Sequence, residues 1–344
     1  MTGLEISRQF INDLLLPLMQ AELGERCDRL AVAIIGTGSD VLGLDDPISR
    51  DHHWGPRANI LYTRQDAEEL APPVGKLLRD DLPAHYDGHP LRVDIGNLTG
   101  VCHSDVESFF ERFLATTKLP QRDEDWLGLC EVDLFHVTSG EVVFDGLGEM
   151  TARREALSYY PDAIWKKRIA DWCMYVSGRE SPYNLHRVGK REDDLTCTIY
   201  LGQCLKRQME LCFMLNRQYA PYTKWLNVCF RRLPEVADQL APIIDAVMAE
   251  RDWAQRVRLL IDGNYVLADA IAALGLTAPV ERREFDEGLT DLTLYDSAAQ
   301  IYGKLPRSLR DPSFNQIEHW EKMARDVLFD TNDYLGGAGK AHDG

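Results

Sequence analysis

The stretch that decides the fold of this chain reads LAVAIIGTGSDVLG and covers residues 30–43. Residues 30–35 are uninterrupted apolar side chains, which predict a short strand buried on both faces. The strand runs directly into Gly36, Gly38 and Ser39, and glycine lets backbone N–H groups approach a ligand closely. The sequence therefore predicts a strand that ends in a turn able to cradle an anion such as a phosphate.

A second apolar run follows, and a carboxylate lies just before it. This part reads DHHWGPRANILY and covers residues 51–62, so that Asp51 precedes a predicted strand. A carboxylate opposite a Gly-Ser turn can hold a divalent cation beside a bound polyphosphate. The strand, the Gly-Ser turn and Asp51 together outline a site for phosphate and metal.

These segments resemble the signature of the nucleotidyltransferase superfamily of the DNA polymerase beta type, which is Gly-Ser, a short loop, and Asp-x-Asp on the neighbouring strand. They are more closely similar to a bacterial branch of that superfamily known as a domain of unknown function. That branch carries Gly-Ser-x-Val-Leu-Gly and then Asp-His-x-Trp-Gly-Pro-Arg, matched here by residues 38–43 and 51–57. The resemblance continues through residues 159–165 and 217–225, and it spans roughly residues 1–260.

The resemblance implies an α+β protein, with a small mixed-sheet nucleotidyltransferase-like domain followed by an all-helical bundle domain. We place the first domain at residues 1–150, a helical acceptor-binding domain at 151–335 and a disordered tail at 336–344. The second domain is similar to the C-terminal domain of aminoglycoside nucleotidyltransferases. Its expected helices carry apolar residues at intervals of three and four, as at Leu201 and Leu205.

Periodicity and capping signals predict the other elements of the first domain. Helices are expected over residues 6–22, 67–78 and 106–114, the last with Ser104 as its N-cap. Further strands are expected over residues 89–95 and 141–146. In the helical domain, helices are expected over residues 239–249 and 254–275.

The resemblance implies metal-binding and catalytic roles for Asp51, His53 and Asp94. Asp51 and Asp94 match the first and third carboxylates of the superfamily, and His53 stands where the superfamily has its second. The resemblance implies a divalent cation, Mg²⁺ or Mn²⁺, as the cofactor. His53 favours Mn²⁺, because Mg²⁺ prefers oxygen ligands. Asp45 and Asp46 in the connecting loop are alternative replacements for the second carboxylate.

The phosphate contacts are expected from the Gly-Ser turn and from two basic residues. Gly38, Ser39 and Gly43 would surround the phosphates of a nucleoside triphosphate, with ATP as the expected substrate. Arg57 could reach a phosphate, although residues 54–57 also fit a purely structural turn. Lys224 could stabilise the departing pyrophosphate, although a surface lysine is the simpler interpretation.

The acidic composition limits the classes of molecule that the chain is expected to bind. A net charge of −17 argues against a nucleic-acid partner, because such proteins need a basic face to displace counterions. It favours a small-molecule acceptor, and a cationic one such as an amine. No segment is apolar enough to span a bilayer and no secretion signal is visible, so we expect a cytoplasmic protein. The eight cysteines form no Cys-x-x-Cys pair and are expected to be mainly buried thiols.

Three functions are compatible with these features. The leading hypothesis is a metal-dependent nucleotidyltransferase that moves a nucleoside monophosphate to a hydroxyl of a small molecule. Glu210, Asp193 and Asp194 in the helical domain are candidates for the base that acts on that acceptor, with a solvated or salt-bridged role as the alternative. The second hypothesis is a catalytically silent nucleotidyltransferase fold that binds nucleotide or a protein partner, which the replacement by His53 motivates. The third is transfer of AMP to a protein. The sequence leaves the oligomeric state open.

Overall fold

The computed structural model of the chain describes residues 1–50, 54–91, 100–179, 181–283 and 293–310. The described residues form two compact units. The first consists of residues 1–119 and 133–158, and the second of residues 120–132 with those from 159 to 310. A mixed sheet with helices in the first unit and helices in the second confirm the α+β class. The boundary predicted at residue 150 stays a prediction, and the tail lies outside the described residues.

The first unit is built on a four-stranded sheet with the order β5-β2-β1-β6. β1 is antiparallel to both β2 and β6, whereas β2 and β5 are parallel, so the sheet is mixed as predicted. β3 and β4 form a separate two-residue ladder. The strands are β1 (Ala31–Ile34), β2 (Ala58–Tyr62), β3 (His85–Tyr86), β4 (His89–Pro90), β5 (Val101–Asp105) and β6 (Glu141–Asp145).

The helices of the first unit cover the sheet. α1 and α2 are joined by one wide turn over Ile11–Leu15 and supply the fully buried side chains of Phe10 and Met19 to its core. Burial on both sides explains why all residues of β1 are apolar and inaccessible to solvent. The helices are α1 (Gly3–Phe10), α2 (Leu16–Leu23), α3 (Ala67–Lys76), α4 (Val106–Leu114), α5 (Glu131–Thr138) and α6 (Glu149–Ala156). The first two residues of α5 belong to the second unit.

A bulge interrupts the pairing of β1 with β6. Val32 lies opposite Phe144, but the next residue, Ala33, lies opposite Val142. Val143 is therefore an extra residue in β6. Such a bulge bends its strand and increases the local twist.

Several predicted elements need correction. Ser104 does not cap α4: it belongs to β5, and the N-cap is Asp105, whose carboxylate accepts the backbone N–H of Ser108 at 2.8 Å. Of the strand predicted over 89–95, His89 and Pro90 form β4, and residues 92–95 lie outside the described part. The predicted helices at 6–22 and 67–78 and the strand at 141–146 are confirmed.

The second unit is helical in its described part, as predicted. Its longest helices are α9 and α12, and α13 packs against α7. Within the described residues, no helix combines the length and the apolar character needed to cross a membrane. The helices are α7 (Asp162–Met174), α8 (Pro182–Gly189), α9 (Asp194–Leu215), α10 (Leu226–Phe230), α11 (Ala237–Ala249), α12 (Trp253–Ala273) and α13 (Thr293–Lys304).

Candidate functional site

The Gly-Ser loop, residues 36–45, connects the carboxyl end of β1 to the rest of the first unit. Its backbone folds on itself, because the N–H of Leu44 donates to the carbonyl oxygen of Ser39 at 2.9 Å. The N–H of Gly43 donates to the carbonyl oxygen of Asp40 at 3.0 Å. Ser39 and Gly43 are half-buried. The predicted phosphate residues Gly38, Ser39 and Gly43 therefore belong to one compact turn.

Gly38 is required by the geometry of this turn. Its φ of 137° is a backbone conformation that side chains disfavour. A Cβ at this position would also collide with the carboxylate of Asp40 and lie 2.7 Å from Nη1 of Arg57. Glycine thus allows these two side chains to meet across the loop backbone.

Arg57 lies against the Gly-Ser loop, where its guanidinium binds the loop itself. Its Nη1 donates to the carbonyl oxygen of Thr37 at 2.9 Å and lies 3.2 Å from both carboxylate oxygens of Asp40. The side chains of Arg57 and Asp40 are 10% and 2% exposed. The positive charge of Arg57 is therefore compensated within the loop, and its role in phosphate binding stays a prediction.

A second loop carboxylate, Asp45, reaches two other parts of the unit. Its Oδ2 accepts the backbone N–H of Gly3 at 2.7 Å and the indole N–H of Trp54 at 2.5 Å. Nε of Arg50 lies 3.6 Å from the same oxygen. The side chain of Asp45 is 0% exposed, and its other oxygen, Oδ1, has no hydrogen-bond partner.

Helix α1 also contacts residues 54–57, through the side chain of Ser7. The hydroxyl of Ser7, which is fully buried, donates to the carbonyl oxygen of Gly3 at 2.7 Å. It also accepts the backbone N–H of Arg57 at 3.1 Å. Residues 54–57 are thus held between α1 and the Gly-Ser loop.

The predicted metal ligands Asp51, His53 and Asp94 lie outside the described residues. Two carboxylates and one imidazole form a donor set that fits Mn²⁺ and is less favourable for Mg²⁺. Elsewhere in the described chain, no group of three or more His, Cys, Asp or Glu side chains could hold a metal ion. The sequence places His53 directly before Trp54, the residue that Asp45 binds.

The second unit contains a group that we call the helical charge cluster: the buried charged residues Glu131, Arg168 and Glu210, the buried Trp172 and the half-buried Arg207. Nη2 of Arg168 donates to Oε2 of Glu131 at 3.0 Å, and their side chains are 4% and 0% exposed. Burial raises the pKa of Glu131, against the opposing effect of Arg168. Oε2 of Glu210 accepts from the indole of Trp172 at 2.9 Å and from Arg207 at 2.8 Å.

These contacts decide between the alternatives for the candidate acceptor residues. Glu210 is bound by a guanidinium and an indole, which favours the salt-bridged alternative over a role as base. Lys224 is exposed, and its Nζ lies 5.2 Å from the ring centroid of Trp225. It belongs to the second unit, and its predicted role with pyrophosphate stays a prediction.

Comparisons with known proteins give a family description and a distant structure. Residues 126–226 match the family model described as "Domain of unknown function (DUF4037)". No curated protein matches the sequence. The crystal structure of a nucleotidyltransferase-like protein from Exiguobacterium sibiricum is similar over 94% of this chain and 92% of that chain, at 11% identity and a TM-score of 0.38.

Sequence reasoning missed the residues that organise the loop. Gly3 and Asp45 are 42 positions apart in sequence, and Ser7 and Arg57 are 50 apart. No local pattern links such residues. The available signal was the presence of acidic side chains inside a turn expected to bind an anion, which indicates that these carboxylates have partners elsewhere in the fold.

Proposed function

We propose that the protein is a metal-dependent nucleotidyltransferase that moves a nucleoside monophosphate from a triphosphate to a hydroxyl of a small molecule. One observation carries the proposal. The buried strand β1 ends in a Gly-Ser turn, and residues 54–57, which follow Asp51 and His53 in sequence, are bonded to that turn through Arg57. The turn proposed to bind phosphate is thus bonded to the segment that follows two of the proposed metal ligands in sequence, which supports the proposal.

The chemistry needs positioning and charge neutralisation more than covalent help from the protein. In the proposed complex, Ser39 and the N–H groups around Gly38 bind the phosphates. Asp51, His53 and Asp94 would hold Mg²⁺ or Mn²⁺, which neutralises the triphosphate and lowers the pKa of the acceptor hydroxyl. ATP is the nucleotide that we propose.

The acceptor is proposed to be a small cationic molecule such as an amino alcohol. The net charge of −17 supports a cationic ligand and disfavours nucleic acid. We propose that the helical unit selects the acceptor.

A catalytically silent nucleotide-binding protein is the second candidate. It is supported by the Asp40–Arg57 pair, because Arg57 brings no uncompensated positive charge to the loop. The replacement of the second carboxylate by His53 points in the same direction, since it leaves less negative charge to hold two cations.

Nucleotide binding is tested by thermal unfolding of the full chain with each nucleoside triphosphate, in Mg²⁺ and in Mn²⁺ separately. A ligand at about 100 times its Kd stabilises the folded state by about 2.7 kcal/mol. We expect Ser39→Ala to weaken binding about tenfold, because one hydrogen bond to a charged phosphate is lost. The control is Ser158→Ala, at an exposed serine of the same unit, which should leave binding unchanged. Absence of any shift contradicts both candidates.

Release of pyrophosphate separates the two candidates. The protein is incubated with ATP, Mg²⁺ or Mn²⁺, and a panel of cationic amino alcohols. Metal-dependent pyrophosphate release that Asp51→Ala abolishes supports the transferase. Binding without release in the natural chain, together with release from His53→Asp, supports the silent protein.

A further inference from the structure

We propose that Asp45 is a positioning residue, which holds residues 54–57 against the Gly-Ser loop through one carboxylate oxygen and does not bind metal. The inference rests on the proposed function, because it concerns the same loop. It sets the structural contact that Asp45 makes against the role expected for it from sequence, that of a replacement metal ligand.

The hydrogen bonds of Asp45 are all on one oxygen. Oδ2 accepts both the N–H of Gly3 and the indole N–H of Trp54, whereas Oδ1 accepts none. The same oxygen therefore joins the start of α1 to the first described residue after His53. A contact of this kind fixes the position of Trp54, which directly follows the proposed metal ligand His53 in sequence.

Gly3 provides independent support for a close fit at this point. A Cβ at Gly3 would lie 2.6 Å from Cβ of Asp40 and 3.2 Å from Nε1 of Trp54. The first turn of α1 thus approaches both the Gly-Ser loop and Trp54 as closely as a side-chain-free residue permits. The Asp45 contacts lie at the centre of this packed junction.

The surroundings of Asp45 do not resemble a metal site. Among the described residues, no group of three potential ligands includes it. Its neighbour Asp46 is exposed and uses Oδ1 to accept the N–H of Ser49 at 2.8 Å. Oδ2 of Asp45 accepts the N–H groups of Gly3 and Trp54 and lies 3.6 Å from Nε of Arg50, so groups of the protein already satisfy this oxygen.

This arrangement makes asparagine a discriminating substitute. The carbonyl oxygen of Asn can accept both N–H groups in place of Oδ2, and its amide nitrogen can occupy the position of Oδ1. Asp45→Asn therefore keeps the positioning contacts and removes the negative charge. Asp45→Ala removes both, and Asp46→Asn is the matched control, because it removes the charge of the neighbouring exposed carboxylate.

The first readout is the indole N–H signal of Trp54 in the ¹⁵N spectrum of the full chain, which has seven tryptophans. The signal is identified by its absence in Trp54→Phe. We expect Asp45→Asn and Asp46→Asn to retain a shifted, slowly exchanging signal, and Asp45→Ala to lose the shift and exchange faster. Loss of the shift in Asp45→Asn as complete as in Asp45→Ala would overturn the positioning role.

The second readout is the affinity for ATP with Mn²⁺, measured by thermal shift. We expect Asp45→Asn to stay close to the natural chain, and Asp45→Ala and Trp54→Phe to weaken binding about tenfold through loss of the positioning hydrogen bonds. If Asp45→Asn keeps the Trp54 signal yet loses metal-dependent binding as fully as Asp45→Ala, Asp45 is a ligand. If the natural chain binds no nucleotide, the proposed function fails, and the indole signals still decide the role of Asp45.

Discussion

The Gly-Ser loop and the helical charge cluster both contain carboxylates buried beside guanidinium groups. The cluster joins helices to one another, whereas the loop is joined to an irregular segment of the chain. In the cluster, Arg168 on α7 faces Glu131 on α5, so the charges join side chains on regular helices. In the loop, Asp40 and Asp45 bind Arg57 and Trp54, which belong to an irregular segment of the chain. Charge in the cluster stabilises packing, whereas charge in the loop positions backbone that is expected to carry function.

The contrast shows that a concentration of ionisable residues does not by itself identify a site. Both regions bury charged groups, yet the contacts of Glu131 and Glu210 join one helix to another and are the bonds of a structural core. The buried charges of the loop instead surround a glycine turn at the end of a central strand. Predictions that remove one cation from each region test this difference.

The largest effect is expected from Arg168→Met in the helical charge cluster. The substitution leaves Glu131 buried without its ion-pair partner, which typically costs about 3–5 kcal/mol of unfolding free energy. Chemical denaturation measures the change. Lys166→Met, which removes an ion pair with a 58% exposed Asp162, should cost no more than about 0.5 kcal/mol.

A double variant tests whether the uncompensated charge of Glu131 causes the loss of stability. Adding Glu131→Gln to Arg168→Met should recover part of the lost stability, because no buried charge then remains uncompensated. A loss below about 1 kcal/mol in Arg168→Met alone would contradict the picture of a structural ion pair.

A smaller effect is expected from Arg57→Met in the loop. Asp40 becomes uncompensated, but the Arg57 side chain is more exposed than that of Arg168, at 10% against 4%, and only one of its nitrogens bonds the carboxylate. We therefore expect a loss of about 2–3 kcal/mol of unfolding free energy, at or below the usual range for a buried pair. Hydrogen exchange should also increase in residues 36–45, since Arg57 ties Thr37 to Asp40. In Arg168→Met the same loop peptides should exchange as in the natural chain. Equal acceleration in both variants would remove the distinction between the regions.

The smallest effect is expected from protonation of the His136 side chain when the pH is lowered. This residue contacts the start of the Gly-Ser loop, because its backbone carbonyl accepts the N–H of Gly36 at 3.3 Å. Burial lowers the pKa of its imidazole to about 4, below the ordinary value of about 6.5. Between these values the unfolded chain binds more protons than the folded one, so stability falls as the pH is lowered. The contribution amounts to about 2 kcal/mol between pH 7 and pH 5.

The variant His136→Gln isolates this contribution. Glu131, whose pKa is raised by burial, changes stability with pH in the opposite direction, so the natural chain alone does not report on His136. Unfolding free energies are therefore compared between the two proteins at pH 7 and at pH 5. A difference that does not change with pH would show that His136 is not buried in its neutral form.

Elements with strong periodicity were predictable from sequence, and elements defined by partners were not. The apolar run of β1 and the spacing along α9 reflect burial that any fold of this chain must provide. β5 contains Cys102, His103 and Ser104, has no apolar alternation, and exists because it pairs in parallel with β2. A signal for a helix cap at Ser104 was therefore assigned one residue too early.

The candidate site shows the same limit at the level of single residues. Gly38 and Ser39 are recognisable because a turn and a strand lie next to each other in sequence. The partners of Asp40 and Asp45 depend on how α1 and residues 54–57 pack, and a carboxylate in a loop has the same local pattern whether it binds an indole, an arginine or a metal. Only tertiary contacts distinguish these cases.

The bulge in β6 makes this strand sensitive to a change in length. Because Ala33 lies opposite Val142 and Val32 opposite Phe144, deleting Val143 would leave a regular antiparallel ladder and remove the bend that the extra residue introduces. Glu141 receives a bidentate bond from Arg8 of α1, and straightening the strand would shift Glu141 away from that helix. Deletion of residue 143 should therefore break the Arg8–Glu141 ion pair, whereas a substitution at position 143 should keep it.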